Sequence, residues 1–223
     1  MNKKKRMRGI MLFSLLTAVS VFALYCFFGA PPLTPEMAMH QRERQELIGP
    51  SKIMAEGELK CGGYDRFLLG KTEYGYCIYT YKEGDFFRSD VLTYEEEGEK
   101  VTVISLGIIA EYSGDVPDEG GLTLPVFVIP DSLRAVSAKL TVKAQYEGKQ
   151  YEASDSAVLE QDVYFVFKTD MDHIHPHVRD FWARILQDGP PVYHPISGTV
   201  TLELFDIRGE RIETVHWEYQ ETE

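Results

Sequence analysis

Asparagine is nearly absent from this sequence, because Asn2 is the only one among 223 residues. No acceptor for N-glycosylation is therefore present, which favours a bacterial cell surface over a eukaryotic one. The short motifs of common enzymes are also missing: there is no Gly-x-Ser-x-Gly, no Gly-x-x-x-x-Gly-Lys-Ser/Thr, no His-Glu-x-x-His and no Cys-x-x-Cys. These absences leave no evident catalytic activity, so we expect a protein that works by binding.

Charged side chains are absent from residues 9–30. The eight residues before them hold five basic ones, at Lys3, Lys4, Lys5, Arg6 and Arg8. As a helix, residues 9–30 would span about 33 Å, close to the roughly 30 Å hydrocarbon core of a bilayer. We therefore predict a cytoplasmic tail at residues 1–8 and a transmembrane anchor at residues 9–30. A cleaved signal peptide is the alternative, although the apolar run is longer than usual and Phe28 is bulky for a cleavage site.

The positive-inside rule places the basic start in the cytoplasm and the residues after Ala30 outside, since no acidic residue comes before Glu36. Subtracting the five basic residues from the 23 Lys and Arg leaves 18 against 35 Asp and Glu, a net charge of −17 outside the membrane. Such a surface should repel nucleic acid. We predict a single-pass cell-membrane protein with an extracytoplasmic C-terminal domain. Its predicted partners are the membrane, through residues 9–30, and an unidentified protein or envelope ligand.

Cysteine is scarce, and only Cys61 and Cys77 of the three cysteines follow the predicted anchor. In an oxidising compartment these two could form a disulfide that closes a short loop. Two separate buried thiols are the alternative, because pairing cannot be deduced from sequence.

Residues 31–50 have the signals of a short juxtamembrane helix. Thr34 is a suitable N-cap, Pro35 fits the first turn, and Gly49 followed by proline would end the helix. Because residues 40–46 are mostly charged or polar, we predict a solvated stalk. Its few predicted packing points are Met37, Leu47 and Ile48.

Residues 51–118 have the pattern of an antiparallel β meander. The apolar residues 67–69 and the β-rich residues 76–81 flank a glycine-containing turn at 70–75, which indicates a hairpin. Further β-rich runs at 91–94 and 101–109 extend the predicted meander.

Residues 119–223 contain alternating apolar residues, most regularly at 136–146, which predicts strands with one face in a core and one in water. Shorter versions recur around Phe165, Leu202 and Trp217, and residues 206–209 supply a turn. Short strands over about a hundred residues predict an immunoglobulin-like β-sandwich. The predicted fold class is therefore mainly β: an N-terminal transmembrane helix, a short juxtamembrane helix, an antiparallel β meander and a β-sandwich that carries a helical insertion.

Residues 170–197 are that insertion and hold the candidate site. Apolar residues at helical spacing predict an amphipathic helix at 178–186, and a cluster of imidazoles precedes it. The candidate metal ligands are His173, His175, His177 and Asp172. They would suit zinc, which binds imidazole and carboxylate. The alternative is a solvated loop in which Asp172 or His175 caps the helix.

Three functions fit these patterns. We favour a membrane-anchored extracytoplasmic binding or interaction protein of the cell envelope. A metal-binding protein or metal-dependent enzyme would instead use the histidine-rich insertion. A structural subunit of a membrane complex is the third, because Ser14 and Ala18 are spaced for close packing between membrane helices.

Overall fold

The computed structural model describes residues 3–27, 32–61, 63–84, 91–107, 109–110, 122–131, 133–146, 149–171 and 197–220. Within these ranges the helices are α1 (Lys3–Phe27) and α2 (Pro35–Gln45). The strands are β1 (Lys52–Cys61), β2 (Tyr64–Lys71), β3 (Gly75–Tyr81), β4 (Val91–Glu96), β5 (Thr102–Ser105), β6 (Ile109–Ala110), β7 (Leu122–Ile129), β8 (Ser137–Tyr146), β9 (Lys149–Val158), β10 (Phe165–Asp170), β11 (Ser197–Phe205) and β12 (Arg211–Gln220). The fold is mainly β and its strand pairs are antiparallel, as the sequence predicts.

Helix α1 begins in the basic run and covers most of the predicted anchor. The large apolar side chains in its middle are exposed: Met11, Leu12, Phe13, Leu15, Leu16, Val19, Val21 and Phe22. Within the described ranges, no helix combines the length and the apolar character that crossing a membrane requires.

The strands of the described chain form three sheets. Sheet A has the order β1-β2-β3-β4, and sheet C has the order β12-β11-β8-β9. In sheet B, β7 pairs with β10 on one side and with β5 and β6 on the other. The extension of the predicted meander to residue 109 is therefore wrong, because β5 pairs with β7. The boundary predicted between residues 118 and 119 stays a prediction, although strands from both sides of it share sheet B.

Sheet B is the middle layer of the β structure. One of its faces packs on sheet C, where Val126 and Phe165 share a core with Leu140. The other face packs on sheet A, where the rings of Phe127 and Phe67 lie with their centroids 4.8 Å apart. Helix α2 covers the far side of sheet A. The order of the layers is therefore α2, sheet A, sheet B and sheet C.

Strand β7 shows how the sequence produces this layering. Its residues read LTLPVFVI, a nearly unbroken apolar run that suits a strand buried on both faces. Alternate residues face opposite layers: Leu124, Val126 and Val128 face sheet C, and Phe127 and Ile129 face sheet A. The Pro125 carbonyl accepts a hydrogen bond from the Leu106 N–H at 3.1 Å. The nitrogen of Pro125 points to the same side as its carbonyl, towards the gap between β5 and β6. Proline has no N–H to donate, and at this gap no hydrogen bond between paired strands is lost.

Three local predictions are confirmed. Strand β8 has the predicted alternation over residues 138–144, with Ala138, Leu140, Val142 and Ala144 buried, whereas Val136, predicted on the same face, is 39% exposed. The predicted hairpin is formed by β2 and β3, and the turn at 206–209 joins β11 to β12. Sheets B and C pack face to face as a sandwich. The helix predicted at 178–186 lies outside the described residues.

Candidate functional site: a buried glutamate under helix α2

Helix α2 begins where the sequence predicts. The hydroxyl oxygen of Thr34, the N-cap, accepts a hydrogen bond from the Met37 N–H at 3.3 Å. Past the last turn, the Ile48 N–H donates to the Glu43 carbonyl at 2.8 Å, and Leu47 has a positive φ of 59°. This Schellman arrangement closes the helix with leucine at the position where glycine is usual.

One face of α2 is packed on sheet A. Ala38, Met39 and Glu43 are buried there, against a cluster that includes Cys77 and Tyr79 of β3. The prediction of a solvated stalk is therefore wrong. The predicted packing points are also wrong for two of the three residues, since Met37 is 45% exposed and Leu47 is 92% exposed. Residues 40–46 were predicted to be solvated because most of them are charged or polar. One of the charged residues nevertheless lies on the face that packs on sheet A.

Glu43 is the charged residue of that face, and it is only 1% exposed. Its carboxylate accepts hydrogen bonds from the Ser51 N–H, at 3.3 Å to each oxygen, and pairs with the Nδ1 atom of His40 at 2.7 Å. The Cys77 thiol lies 3.6 Å from one carboxylate oxygen. A buried carboxylate is tolerated only when donors replace its lost water. These donors come from α2, from the start of β1 and from β3, so the carboxylate ties the helix to sheet A.

Cys77 is a hydrogen-bond donor in this cluster rather than a nucleophile. Burial, together with the neighbouring charge of Glu43, raises the pKa of its thiol to about 12. The thiol is therefore protonated at neutral pH, and a protonated, enclosed thiol is unreactive. Cys61 is buried on the opposite face of sheet A, in the core shared with sheet B. The two cysteines are separate thiols, and no disulfide joins them.

A surface pocket of about 360 Å³ opens beside the glutamate. It is lined by His40, Glu43, Arg44, Ile48 and Pro50. Because Glu43 holds the Nδ1 atom of His40, the ring is fixed and its Nε2 atom remains for another partner. The volume is at the small end of the range for ligand pockets, enough for one side chain or a small organic group.

A second polar cluster joins sheets A and B at one edge. The Tyr76 hydroxyl donates to Asp131, whose other carboxylate oxygen accepts from the Thr102 hydroxyl at 2.6 Å. The Lys71 ammonium donates to the Tyr76 oxygen at 3.0 Å and to Glu97 at 2.9 Å. Burial and the bond to Asp131 raise the pKa of Tyr76, so its hydroxyl stays protonated. The cluster is a structural clamp whose members bond to one another.

The residues that the sequence singled out for metal binding, His173, His175, His177 and Asp172, lie outside the described residues. Among those that are described, no group of three or more His, Cys, Asp or Glu side chains could hold a metal ion. Sequence reasoning missed Glu43. Its signal was present as the spacing of His40 and Glu43 on one helix turn, beside the apolar residues Ala38 and Met39.

Comparison with known proteins identifies no class for this chain. No family model matches the sequence, and no curated protein or solved structure matches it either.

Proposed function

We propose that this protein is a single-pass, membrane-anchored protein of the cell envelope whose β structure lies outside the membrane and works by binding. The observation that carries the proposal is the row of exposed large apolar side chains along α1, from Met11 to Phe22. A soluble protein rarely leaves so many apolar residues in water, so this surface needs an apolar partner.

The bilayer is the partner that fits the sequence around α1. Residues 9–30 carry no charge, and their helical length of about 33 Å matches a hydrocarbon core. The five basic residues at the start favour the cytoplasmic side. The proposal therefore has α1 as an anchor and the three sheets outside.

Binding is proposed because the described polar groups serve structure. The thiol of Cys77 and the hydroxyl of Tyr76 stay protonated at neutral pH, which suits donors in a scaffold better than nucleophiles. The pocket beside Glu43 gives the scaffold a place to hold a side chain or a small ligand. In this proposal, sheets B and C form an immunoglobulin-like sandwich that serves as the rigid frame.

Intact-mass measurement and surface labelling test the anchor and its orientation. The membrane fraction should contain the full-length chain, and a mature chain beginning near Pro31 would contradict the anchor. Ile207→Cys, at a position 86% exposed, should react with a membrane-impermeant maleimide on intact cells. The wild-type protein is the matched control for any labelling of Cys26, and Cys61 and Cys77 are buried. Labelling that requires permeabilised cells would overturn the orientation.

Zinc binding is the second candidate function, and its support is the crowding of His173, His175 and His177 beside Asp172. A ligand that binds only the folded state raises its melting temperature. Zinc should therefore raise the melting temperature of the wild type, and the double variant His173→Gln/His175→Gln should lose this response. His216→Gln, on the outer face of sheet C, is the control that should keep it. A wild type indifferent to zinc would eliminate this function.

A further inference from the structure

We propose that helix α2 lies flat on the outer surface of the membrane, with its outward face against the lipid headgroups. This inference rests on the anchor proposed above. Positions 37 and 44 fall on one side of the helix, opposite the buried Met39. On that side Met37 is 45% exposed and Arg44 is exposed, and Leu33, which precedes the N-cap, is 62% exposed. Leu47 follows at the end of the helix and is almost fully exposed.

The length of the chain between anchor and helix keeps the start of α2 near the bilayer. Leu33 follows Ala30, the end of the predicted anchor, by three residues. Three residues reach at most about 10 Å, and each interfacial region of a bilayer is roughly 5 to 8 Å thick. Leu33 is therefore held at or just beyond the level of the headgroups.

Leu47 distinguishes a helix that lies flat from one that stands upright. Helix α2 has eleven residues, so an upright helix would raise its far end by about 16 Å. Leu47 would then lie in water. Its side chain is the most exposed of the large apolar side chains described outside α1. It also occupies a left-handed conformation, φ 59°, that glycine adopts at less cost. The fold gains little from leucine at this position, whereas a flat helix buries it among lipids.

The charges around α2 agree with a contact to headgroups. Arg44 lies between Met37 and Leu47, and its Nε donates to the His40 carbonyl at 3.1 Å. That bond orients the guanidinium on the outward face, where it can contact lipid phosphate. The acidic residue Glu36 lies on a flank of the helix instead, and Glu46 is the C-cap that follows its last residue.

A flat α2 also fixes the direction of the layers. Sheets A, B and C would then be stacked away from the membrane, at roughly 10 Å per layer. Sheet C would be the most distant layer, on the order of 30 Å from the helix. Ile207, in the turn between β11 and β12, would be far from any lipid.

Fluorescence quenching in nanodiscs tests the arrangement with the full-length chain. In a Cys26→Ser background, an environment-sensitive dye is attached to Val19→Cys, Met37→Cys, Leu47→Cys or Ile207→Cys. The discs contain phosphatidylcholine with nitroxide groups either at the headgroup or deep in the acyl chains. Cys61 and Cys77 are buried and should not take up the dye.

We expect headgroup nitroxides to quench Met37 and Leu47 to a similar degree and to leave Ile207 unquenched, while deep nitroxides quench Val19. Quenching of Val19 without quenching of Leu47 would overturn the flat helix and leave the anchor intact. An unquenched Val19 would overturn the anchor and the flat helix together. Equal quenching of Ile207 and Leu47 would overturn the stacking of layers away from the membrane and, with it, the flat helix.

Discussion

Neighbouring methionines on α2 give a direct test of how the helix is packed. Met39 is fully buried on sheet A, whereas Met37 is nearly half exposed. Met39→Ala removes three heavy atoms, each comparable to a buried methylene worth about 0.8 kcal/mol, or about 2.4 kcal/mol in total. The cavity left beside Gly70 adds to this, so we expect a loss of about 3 kcal/mol within the usual range of roughly 2 to 5. Met37→Ala should cost about 1 kcal/mol or less.

Both variants make the same exchange in the same helix, so the difference in helix propensity between methionine and alanine cancels. Urea unfolding of the full-length protein in detergent, followed by the circular dichroism of the β structure, measures the free energy of unfolding. Equal losses for the two variants would refute the assignment of an inward and an outward face. A larger loss for Met37→Ala would support the solvated-stalk prediction made from sequence.

Three further predictions concern the sheets. Gly57→Ala should destabilise the fold by about 1 to 3 kcal/mol, because the new Cβ would lie 2.6 Å from the ring of Phe67 in β2. The control is Gly49→Ala, which should be neutral in the same unfolding assay because no atom lies within 4 Å of its Cβ. Burial is the main reason that the pKa of Tyr81 is raised from 10.0 to about 12 in the folded protein. The Tyr81 hydroxyl therefore loses its proton at lower pH in the unfolded chain than in the folded one, and the free energy of unfolding should fall between about pH 10 and 12. Tyr81→Phe should make that fall shallower in urea titrations across this pH range. Tyr76→Phe removes the donor to Asp131 and should cost about 1 to 3 kcal/mol, and a neutral result would show that the clamp between sheets A and B adds no stability.

Local patterns were enough to predict much of the β structure. The predictions of alternation within β8 and of a glycine-containing turn between β2 and β3 were correct, because each depends on residues close in the sequence. The pairing of β5 with β7 could not be obtained in this way, since it joins segments separated by residues 106–121. The apolar run of β7 did carry a signal for burial on both faces, and that signal was not used.

The candidate site was less accessible to sequence reasoning. Thr34 and Pro35 marked the start of α2 correctly, because caps act within one turn. The sequence-based prediction put Glu43 on a solvated face, because glutamate is rarely buried unless hydrogen-bond donors surround it. Those donors are His40, the backbone of Ser51 and Cys77, which come from α2, from the residue before β1 and from β3. Only the folded chain brings them together.

The position of sheet B between sheets A and C has a consequence for how the chain is made. All four strands of sheet A are complete by Glu96, but β10, the outer strand of sheet B, begins roughly 70 residues later. At about 5 to 20 residues per second, synthesis of that stretch takes on the order of 10 s. During this time the inner face of sheet A, with Phe67, Leu69 and Ile78, is covered only in part, by β5 and β7, and is free to associate with other nascent chains. A chain that stops before β7 should therefore aggregate, even though it contains the whole of sheet A.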